Sequence, residues 1–244
     1  MSARIPRASS APRPGPGRRI SASNRARPLA WLALCALLGV AGPALSQNLQ
    51  DSEVELEDVL EISLIDRDLV AFDALGSSTP SLRLEIGEEP LWIRASGRVG
   101  VVVTDRRLLG VTSSNGSWQE VRFRLHERRP DSAQIGKRVA LVVTDKRLLG
   151  FDGQAGRWLV VDVGPHEVVR DARVGAQTAV ILTDRSAYGL SPDVGGFYRI
   201  PMTIQEKVES VRVGANLATI TTSWRILVFR APIGTWSEER RNLR

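Results

Sequence analysis

Four aspartates at regular intervals are the residues of this chain that could most readily do chemistry. Asp66, Asp105, Asp145 and Asp184 follow one another at spacings of 39, 40 and 39 residues. If their carboxylates converged on one pocket, they could supply the acid and base of a hydrolase acting on glycosidic bonds. Each is followed by Arg or Lys, however, and Asp is favoured in tight hairpins because its side chain bonds nearby backbone. We therefore expect the four aspartates to be turn residues. A carboxylate-dependent hydrolase is the less favoured alternative.

The aspartates mark a longer repeated segment. Residues 99–111 read Val-Gly-Val-Val-Val-Thr-Asp-Arg-Arg-Leu-Leu-Gly-Val, and residues 139–151 read Val-Ala-Leu-Val-Val-Thr-Asp-Lys-Arg-Leu-Leu-Gly-Phe. Weaker copies surround Asp66, Asp184 and Ser223. A period near 40 built from short β-runs is typical of propeller blades. The sequence therefore predicts an all-β fold, a five-bladed β-propeller with a period of about 39 residues.

The second repeat illustrates the expected blade. Residues 91–95, 99–104, 107–111 and 118–125 predict four antiparallel strands, the second apolar on both faces and the last alternating. We call Asp66, Asp105, Asp145, Asp184 and Ser223 the anchor residues and count positions from them. Three further positions recur at fixed distances from the anchor. They are a small residue at +5, a turn glycine at +11 and an aromatic packing residue at +13, the last represented by Trp118, Trp158, Phe197 and Trp236. The predicted blades span about 52–87, 88–126, 127–164, 165–203 and 204–242.

This strand and turn pattern resembles the repeats of kelch and regulator-of-chromosome-condensation propellers. The resemblance covers residues 53–242 and implies a fold whose members mostly bind proteins, while a few five-bladed ones bind sugars. The two terminal copies depart from the pattern, since copy one lacks the loop glycine and aromatic and copy five has Val228 at the small position. Closure of the ring is favoured because apolar end faces would aggregate, and an open stack of sheets is the alternative.

The N-terminal 46 residues have the features of a secretory signal peptide. A basic stretch without acids precedes an apolar core at 29–42, and Ala44-Leu-Ser46 offers small residues at a cleavage site. An uncleaved anchor is the alternative, although a 14-residue core is short for a membrane span. We expect an exported protein, periplasmic or extracellular, without a stable membrane span after cleavage.

The charge of the chain is concentrated in this leader. Residues 1–46 contain seven arginines and no acid, so the remainder has 26 basic against 27 acidic residues and a net charge of about −1. The basic pI is therefore no sign of nucleic-acid binding, which we do not expect. The only cysteine is Cys35, inside the leader, and the chain has two histidines. No metal site, catalytic centre or cofactor is predicted.

Two groups of residues are candidate binding sites. Arg94, Arg173 and Arg212 occupy one repeat position on the first strand, which lines the channel of a propeller, and three guanidinium groups could bind an anion there. The alternative is that they reach solvent or pair with neighbouring acids. The second group lies in the variable loops after the outer strands, where partner specificity is usually built. Its members are His126, Glu127, Arg128, Arg129 and His166.

The expected function is that of a non-catalytic binding or scaffolding propeller that engages an envelope or extracellular protein. A lectin-like protein with repeated glycan sites is the alternative, and it requires Trp118, Trp158 and Trp236 to be exposed for stacking. The hydrolase requires at least two of the anchor aspartates to point into the channel.

Overall fold

The computed structural model describes residues 58–76 and 78–241, so the predicted signal peptide at 1–46 lies outside the described residues. The strands form five antiparallel sheets that follow one another along the chain, and we number these sheets as blades 1 to 5. This confirms the predicted all-β, five-bladed propeller architecture and its period. The described part of the chain contains no helix of the length and apolarity that crossing a membrane requires.

Blade 1 has three strands within the described residues: β1 (Leu60–Ile65), β2 (Asp68–Asp73) and β3 (Ser81–Arg83). Blade 2 has four: β4 (Pro90–Ser96), β5 (Val99–Thr104), β6 (Arg107–Thr112) and β7 (Gln119–Arg122). Blade 3 is made of β8 (Gln134–Ile135), β9 (Val139–Val143), β10 (Arg147–Asp152) and β11 (Arg157–Asp162).

Blade 4 comprises β12 (Val169–Val174), β13 (Ala179–Thr183), β14 (Ser186–Ser191) and β15 (Gly196–Pro201). Blade 5 comprises β16 (Val208–Val213), β17 (Leu217–Thr222), β18 (Arg225–Arg230) and β19 (Thr235–Arg240), with a 3-10 turn at Ala231–Ile233 before its last strand. Every blade is a simple meander in which each strand pairs with the next along the chain.

The outer strand of blade 2 is shorter than predicted. It ends at Arg122 instead of residue 125. The Glu127 carboxylate accepts the backbone N–H of Arg124 at 2.8 Å, and this bond starts a turn that ends the strand. The alternating sequence continues through the turn, which is why sequence periodicity alone extended the strand too far.

The middle strands of the inner blades carry the core. Every residue of β5, β6, β10 and β14 is buried, because these strands lie between two neighbouring blades. The hydrophobic clusters cross from one blade to the next: Val101 in blade 2 packs with Phe151 in blade 3, and Ile220 in blade 5 packs with Val180 in blade 4. A single blade could not bury both of its faces.

A small residue in one blade receives a large side chain from the next. A Cβ on Gly110 would lie 2.4 Å from the Phe151 ring, and one on Gly189 would lie 2.5 Å from Phe229. A Cβ on Gly150 would lie 2.6 Å from Leu190. The residue at +5 is thus a socket for the residue at +6 of the following blade, and this close approach explains why the sequence repeats a small residue there.

Backbone hydrogen bonds join consecutive blades at equivalent positions. The N–H groups of Val59, Arg98, Arg138 and Gln177 donate to the carbonyls of Gly97, Lys137, Ala176 and Ala215 in the following blade, at 2.9–3.0 Å. Within the described residues, the next amide in this series, at Asn216, makes no such bond to blade 1. The four interfaces from blade 1 to blade 5 are therefore alike in this hydrogen bond.

The predicted aromatic anchors also connect blades. The indole N–H of Trp118 donates to the Pro80 carbonyl at 3.1 Å, that of Trp158 to Gln119 at 3.3 Å, and that of Trp236 to Tyr198 at 2.8 Å. All three rings are half-buried and pack against core clusters. Their role as packing anchors is confirmed. In blade 4 the equivalent residue is Phe197, whose side chain has no N–H to donate.

The two end faces of the array differ from the apolar surfaces expected of an open stack. The outward face of blade 1 carries the opposed pairs Glu61–Phe72, Ser63–Val70 and Ile65–Asp68. The outward face of blade 5 carries Leu217–Arg230, Thr219–Val228 and Thr221–Ile226. Polar residues on both faces replace the Val, Leu and Gly of the inner blades. Because each end is partly polar, an open stack of these blades would not expose the wholly apolar end faces that favour aggregation.

Candidate binding face

The Thr-Asp hairpins of the blades are held by the threonine. The Thr104 hydroxyl accepts the backbone N–H groups of Arg106 and Arg107 at 3.1 and 2.9 Å, and it donates to a carboxylate of Glu88 at 2.8 Å. Thr144 does the same in blade 3 with Lys146, Arg147 and Glu127. The hairpin geometry therefore depends on the residue before the anchor.

A buried glutamate and arginine complete this cluster. Arg107 Nε donates to Glu88 at 2.9 Å, Arg147 Nε to Glu127 at 2.9 Å, and Arg225 Nε to Glu206 at 2.9 Å. The glutamates also accept backbone N–H groups three residues earlier in the chain, such as Glu85 N–H to Glu88 at 2.8 Å. Each glutamate thereby closes the turn between two blades and ties it to the third strand of its own blade.

The ionisation of these glutamates follows from their contacts. Burial raises the pKa of the Glu88, Glu127 and Glu206 carboxyls, but the hydrogen bonds from arginine, threonine and backbone outweigh it and leave each pKa below its ordinary value. The hydrogen bond to Glu88 in turn raises the pKa of Arg107, against the opposing effect of burial. The three glutamates are therefore ionised at neutral pH, and their ion pairs lock the turns that contain them.

Blade 4 differs from blades 2, 3 and 5. Ser186 stands where those three blades have arginine, and Glu167 instead accepts the hydroxyls of Thr183 and Tyr188. Burial and the neighbouring Glu167 raise the pKa of Tyr188, so this phenol remains a neutral donor. Within the described residues no basic side chain lies within ion-pair distance of Glu167. It is half-buried, whereas Glu88, Glu127 and Glu206 are buried.

The anchor aspartates are structural, but in a different way from the one predicted. Asp105 accepts the N–H of Glu89 at 3.0 Å, Asp145 that of Arg128 at 2.8 Å, and Asp184 that of Val168 at 2.9 Å. These amides belong to the segment that leads into the first strand of the same blade, not to the hairpin itself. Three of the four carboxylates therefore accept backbone hydrogen bonds and connect the hairpin to the segment before the first strand.

One apolar side chain projects from each of the locked turns. Ile86 is 84% exposed, Leu125 83% and Ile204 95%, and Pro165 is exposed at the equivalent place in blade 4. We call these four residues the turn tips. They share one end of the blades with the Thr-Asp hairpins, since Arg106 donates to the Gly87 carbonyl and Lys146 to that of Leu125. We call this end the loop face.

The predicted loop residues lie on this face with one exception. His126, Arg128, Arg129 and His166 are exposed, and His126 has a positive φ of 59° in its turn. The prediction that Glu127 belongs to the contact surface is wrong, because its side chain is buried against Arg147 and Thr144. As a binding surface, the four exposed residues stay a prediction.

The loop from 126 to 132 separates two open grooves. One, of about 610 Å³, lies between blades 3 and 4 and is lined by Arg128, Arg129, Glu167 and several valines. The other, of about 660 Å³, lies between blades 2 and 3 beside Arg122, Arg124 and His126. The described residues hold no cluster of three or more His, Cys, Asp and Glu side chains suited to a metal ion.

The arginines predicted to form a channel anion site are exposed on first strands of three blades. Arg94 lies on β4, Arg173 on β12 and Arg212 on β16. Arg173 pairs with Asp171 at 2.9 Å and donates to the Val211 carbonyl in blade 5 at 2.7 Å, so part of its hydrogen-bonding capacity serves the blade interface. An anion site formed by the three stays a prediction.

Sequence reasoning missed the Glu–Thr–Arg clusters. In blades 2 to 5 their members recur at −1 (Thr104, Thr144, Thr183, Thr222), at +2 (Arg107, Arg147, Arg225, with Ser186 in blade 4) and 17 or 18 residues before the anchor (Glu88, Glu127, Glu167, Glu206). Blade 1 has Ile65 and Asp68 at the first two of these positions. The signal was present in the repeat. The glutamate is hard to recognise in the sequence, because its distance from the anchor varies by one residue and it lies in a loop rich in charged residues.

No protein-family model matches the chain, and no curated protein does. Among solved structures it is similar to Prp20p of Saccharomyces cerevisiae, at 9% identity and a TM-score of 0.37 over 71% of this chain and 56% of that one. Human WBSCR16 matches at 12% identity and a TM-score of 0.35, over 76% and 65%. YCF48 in complex with a D1 peptide matches at 15% identity and 0.29, over 76% and 67%.

These neighbours include yeast RCC1, the type of propeller that the repeat pattern resembles. The chain spans roughly half to two thirds of the length of these structures. The class of the protein, a β-propeller built from repeated antiparallel sheets, follows from its own sheet order and blade interfaces.

Proposed function

We propose that this chain is a non-catalytic binding propeller that engages a protein partner through the loop face. The observation that carries the proposal is the set of turn tips. Three large apolar side chains more than four fifths exposed, one to a blade, stand on turns fixed by buried Glu–Arg pairs. Rigid apolar anchors lose little conformational entropy on binding, and loops positioned by a rigid scaffold commonly carry binding residues.

The compartment of this interaction is part of the proposal. The leader at 1–46, with its basic stretch, short apolar core and small-residue site, supports export. The partner would then be an envelope or extracellular protein. A chain without cysteine after residue 35 is suited to an oxidising compartment, since it has no free thiol to react there.

Site-specific photo-crosslinking tests the loop face. A photoreactive amino acid is placed at Leu125 or Ile204, and at Gln154 or Asn115 as controls, which are exposed at the opposite end of the strands. We expect the loop-face positions to capture a discrete polypeptide that the control positions do not capture. The same capture should disappear in the Ile86→Ser/Leu125→Ser/Ile204→Ser variant crosslinked from another loop-face position, such as His166.

The serine variant should fold normally, because exposed side chains contribute little to stability. An unchanged melting temperature checks this. Equal capture from both ends of the blades, or capture unaffected by the three serines, would contradict the proposal. Cell fractionation with and without residues 1–46 tests the export separately.

A further inference from the structure

The groove between blades 3 and 4 combines an apolar floor with charges of both signs. Val143, Val163, Val168 and Val169 line its floor, and Val168 is half-exposed. Its volume of about 610 Å³ is sufficient for several side chains of an extended peptide. Its lining includes Asp145 of the blade 3 hairpin, which places the groove at the loop face.

One wall of the groove has two guanidinium groups without a partner. Within the described residues, the side chains of Arg128 and Arg129 make no hydrogen bond or ion pair. The nearby Asp145 is engaged by the backbone N–H of Arg128 itself. Three nearby arginines, in contrast, have acidic partners, since Arg106 and Arg122 both pair with Glu85, and Arg124 pairs with Asp162 at 2.6 Å.

The groove also contains a carboxylate that lacks the cation of its counterparts. Glu88, Glu127 and Glu206 each bind an arginine of their own blade, whereas Glu167 has only hydroxyl donors from Thr183 and Tyr188. The remaining acid of the lining, Asp131, is exposed on the 126–132 loop. The groove therefore offers positive charge at Arg128 and Arg129 and a negative charge at Glu167, with valines along its floor.

We propose that this groove binds an extended segment of the partner protein that carries an acidic residue and a basic residue separated by apolar ones. The acidic side chain pairs with Arg128 and Arg129, the apolar side chains rest on the valines, and the basic side chain reaches Glu167. Charge complementarity selects this occupant, because a purely apolar or purely anionic ligand would leave one pole unmatched. The inference rests on the proposed function and specifies the chemistry of its partner.

Labelled synthetic peptides test the groove directly. The probes are fluorescein-labelled peptides of the form Asp-(Val-Ser)n-Lys with n from one to three, compared with peptides in which Asp is replaced by Asn or Lys by Gln. Binding to the purified protein is followed by polarisation, and the contacted residues by amide NMR shifts. We expect at least one spacing to bind about tenfold more tightly than either neutral analogue, with shifts at 127–132 and 163–169.

Variants test the positively charged and the negatively charged ends of the groove separately. Arg128→Gln/Arg129→Gln should lose the preference for Asp over Asn, and Glu167→Gln should lose the preference for Lys over Gln, because each removes one charge pair. Arg83→Gln/Arg240→Gln removes the same two positive charges from exposed sites outside the groove and should leave binding unchanged. Melting curves establish that all variants are folded.

Several results would overturn the inference. These are no spacing binding above its neutral analogues, shifts outside the groove, or inorganic phosphate displacing the peptide at equal concentration, which would indicate an anion site only. If photo-crosslinking to a partner requires the turn tips but is unaffected by Arg128→Gln/Arg129→Gln, the groove inference fails while the proposed function stands. If neither set of variants affects crosslinking, both fail.

Discussion

The inner blades and the end blades of this propeller follow different rules. Blades 2, 3 and 4 have both faces covered, and a glycine in each accepts a large side chain from the next blade. Blade 5 has Val228 at that position, and the counterpart of the inserted residue in blade 1 is Phe72, 41% exposed. The comparison shows that one repeat pattern can encode both an interface and its termination, by changing a few residues.

Substitutions at the buried ion pairs should give the largest difference in unfolding free energy between equivalent positions of two blades. Arg147→Met leaves the Glu127 carboxylate buried without its cation, which costs about 3–5 kcal/mol for a buried pair. Ser186→Ala in blade 4, where no such pair exists, should cost less than about 1 kcal/mol. Urea unfolding followed by tryptophan fluorescence measures both. Equal losses would show that the Glu–Arg pair is not what locks the turn.

The socket position should give the next largest effect. Gly150→Val places methyl groups against Leu190 and Phe197 and should destabilise the fold by about 1–3 kcal/mol or more, because a packed interface has no room for them. The reverse change, Val228→Gly, removes a side chain from an end face and should cost about 1 kcal/mol or less. Thermal melts of the two variants compare the positions. A large loss for Val228→Gly would show that blade 5 is covered in solution.

The indole hydrogen bonds should contribute moderately. Trp158→Phe retains an aromatic ring but loses the bond to the Gln119 carbonyl, and we expect a loss of about 1 kcal/mol together with a modest packing change. Phe197→Leu, at the equivalent position of blade 4, keeps an apolar group and breaks no such bond. If both substitutions cost the same, the hydrogen bond contributes nothing beyond packing.

Acid sensitivity should distinguish the buried glutamates from exposed ones. The folded-state pKa values of Glu88, Glu127 and Glu206 lie below their unfolded values, so their ionisation stabilises the fold above the unfolded pKa, and this contribution is lost as pH falls through the folded pKa. Stability should hold from pH 7 to about 5 and fall below about 4.

Replacing one of these carboxyls tests the origin of the acid effect. Glu206→Gln should reduce the difference in unfolding free energy between pH 6 and pH 3, since one titrating group is removed. Glu239→Gln, on the exposed outer strand of blade 5, should leave that difference unchanged. A profile identical in both variants would assign acid unfolding to other groups.

The repeat made most of the architecture predictable. Local geometry requires the same residue type in each repeat at the anchors, at the turn glycines and at the small position +5. These residues therefore recur in the sequence at a fixed period. The positive φ of Gly116, Gly156, Gly195 and Gly234 is the physical reason for one of these identities. The properties of the two end blades were harder to predict, because closure of the ring depends on which blade faces meet. The polar or bulky residues Glu61, Thr219 and Val228 become informative only once the structure shows that they lie on the outward faces of blades 1 and 5.

The candidate site was less predictable than the fold. Exposure of Arg128 and Arg129 follows from a charged, proline-containing loop. Burial of Glu127, one residue earlier, does not follow from that loop, because it depends on an arginine 20 residues further along the chain. The groove required both neighbouring blades to be in place, and the missing cation at Glu167 is evident only by comparison with three completed clusters.

The series of amides and carbonyls between blades has a consequence for how such an array can lengthen. Each inner blade accepts a hydrogen bond from the blade before it and donates one to the blade after it. Its glycine socket likewise receives a side chain from the blade after it. A duplicated inner repeat would therefore have a complementary interface with the blade before it and with the blade after it. An extra repeat packed against the outward face of blade 5, where Val228 replaces the glycine, would not. Growth by internal tandem duplication is the route that this construction favours in evolution.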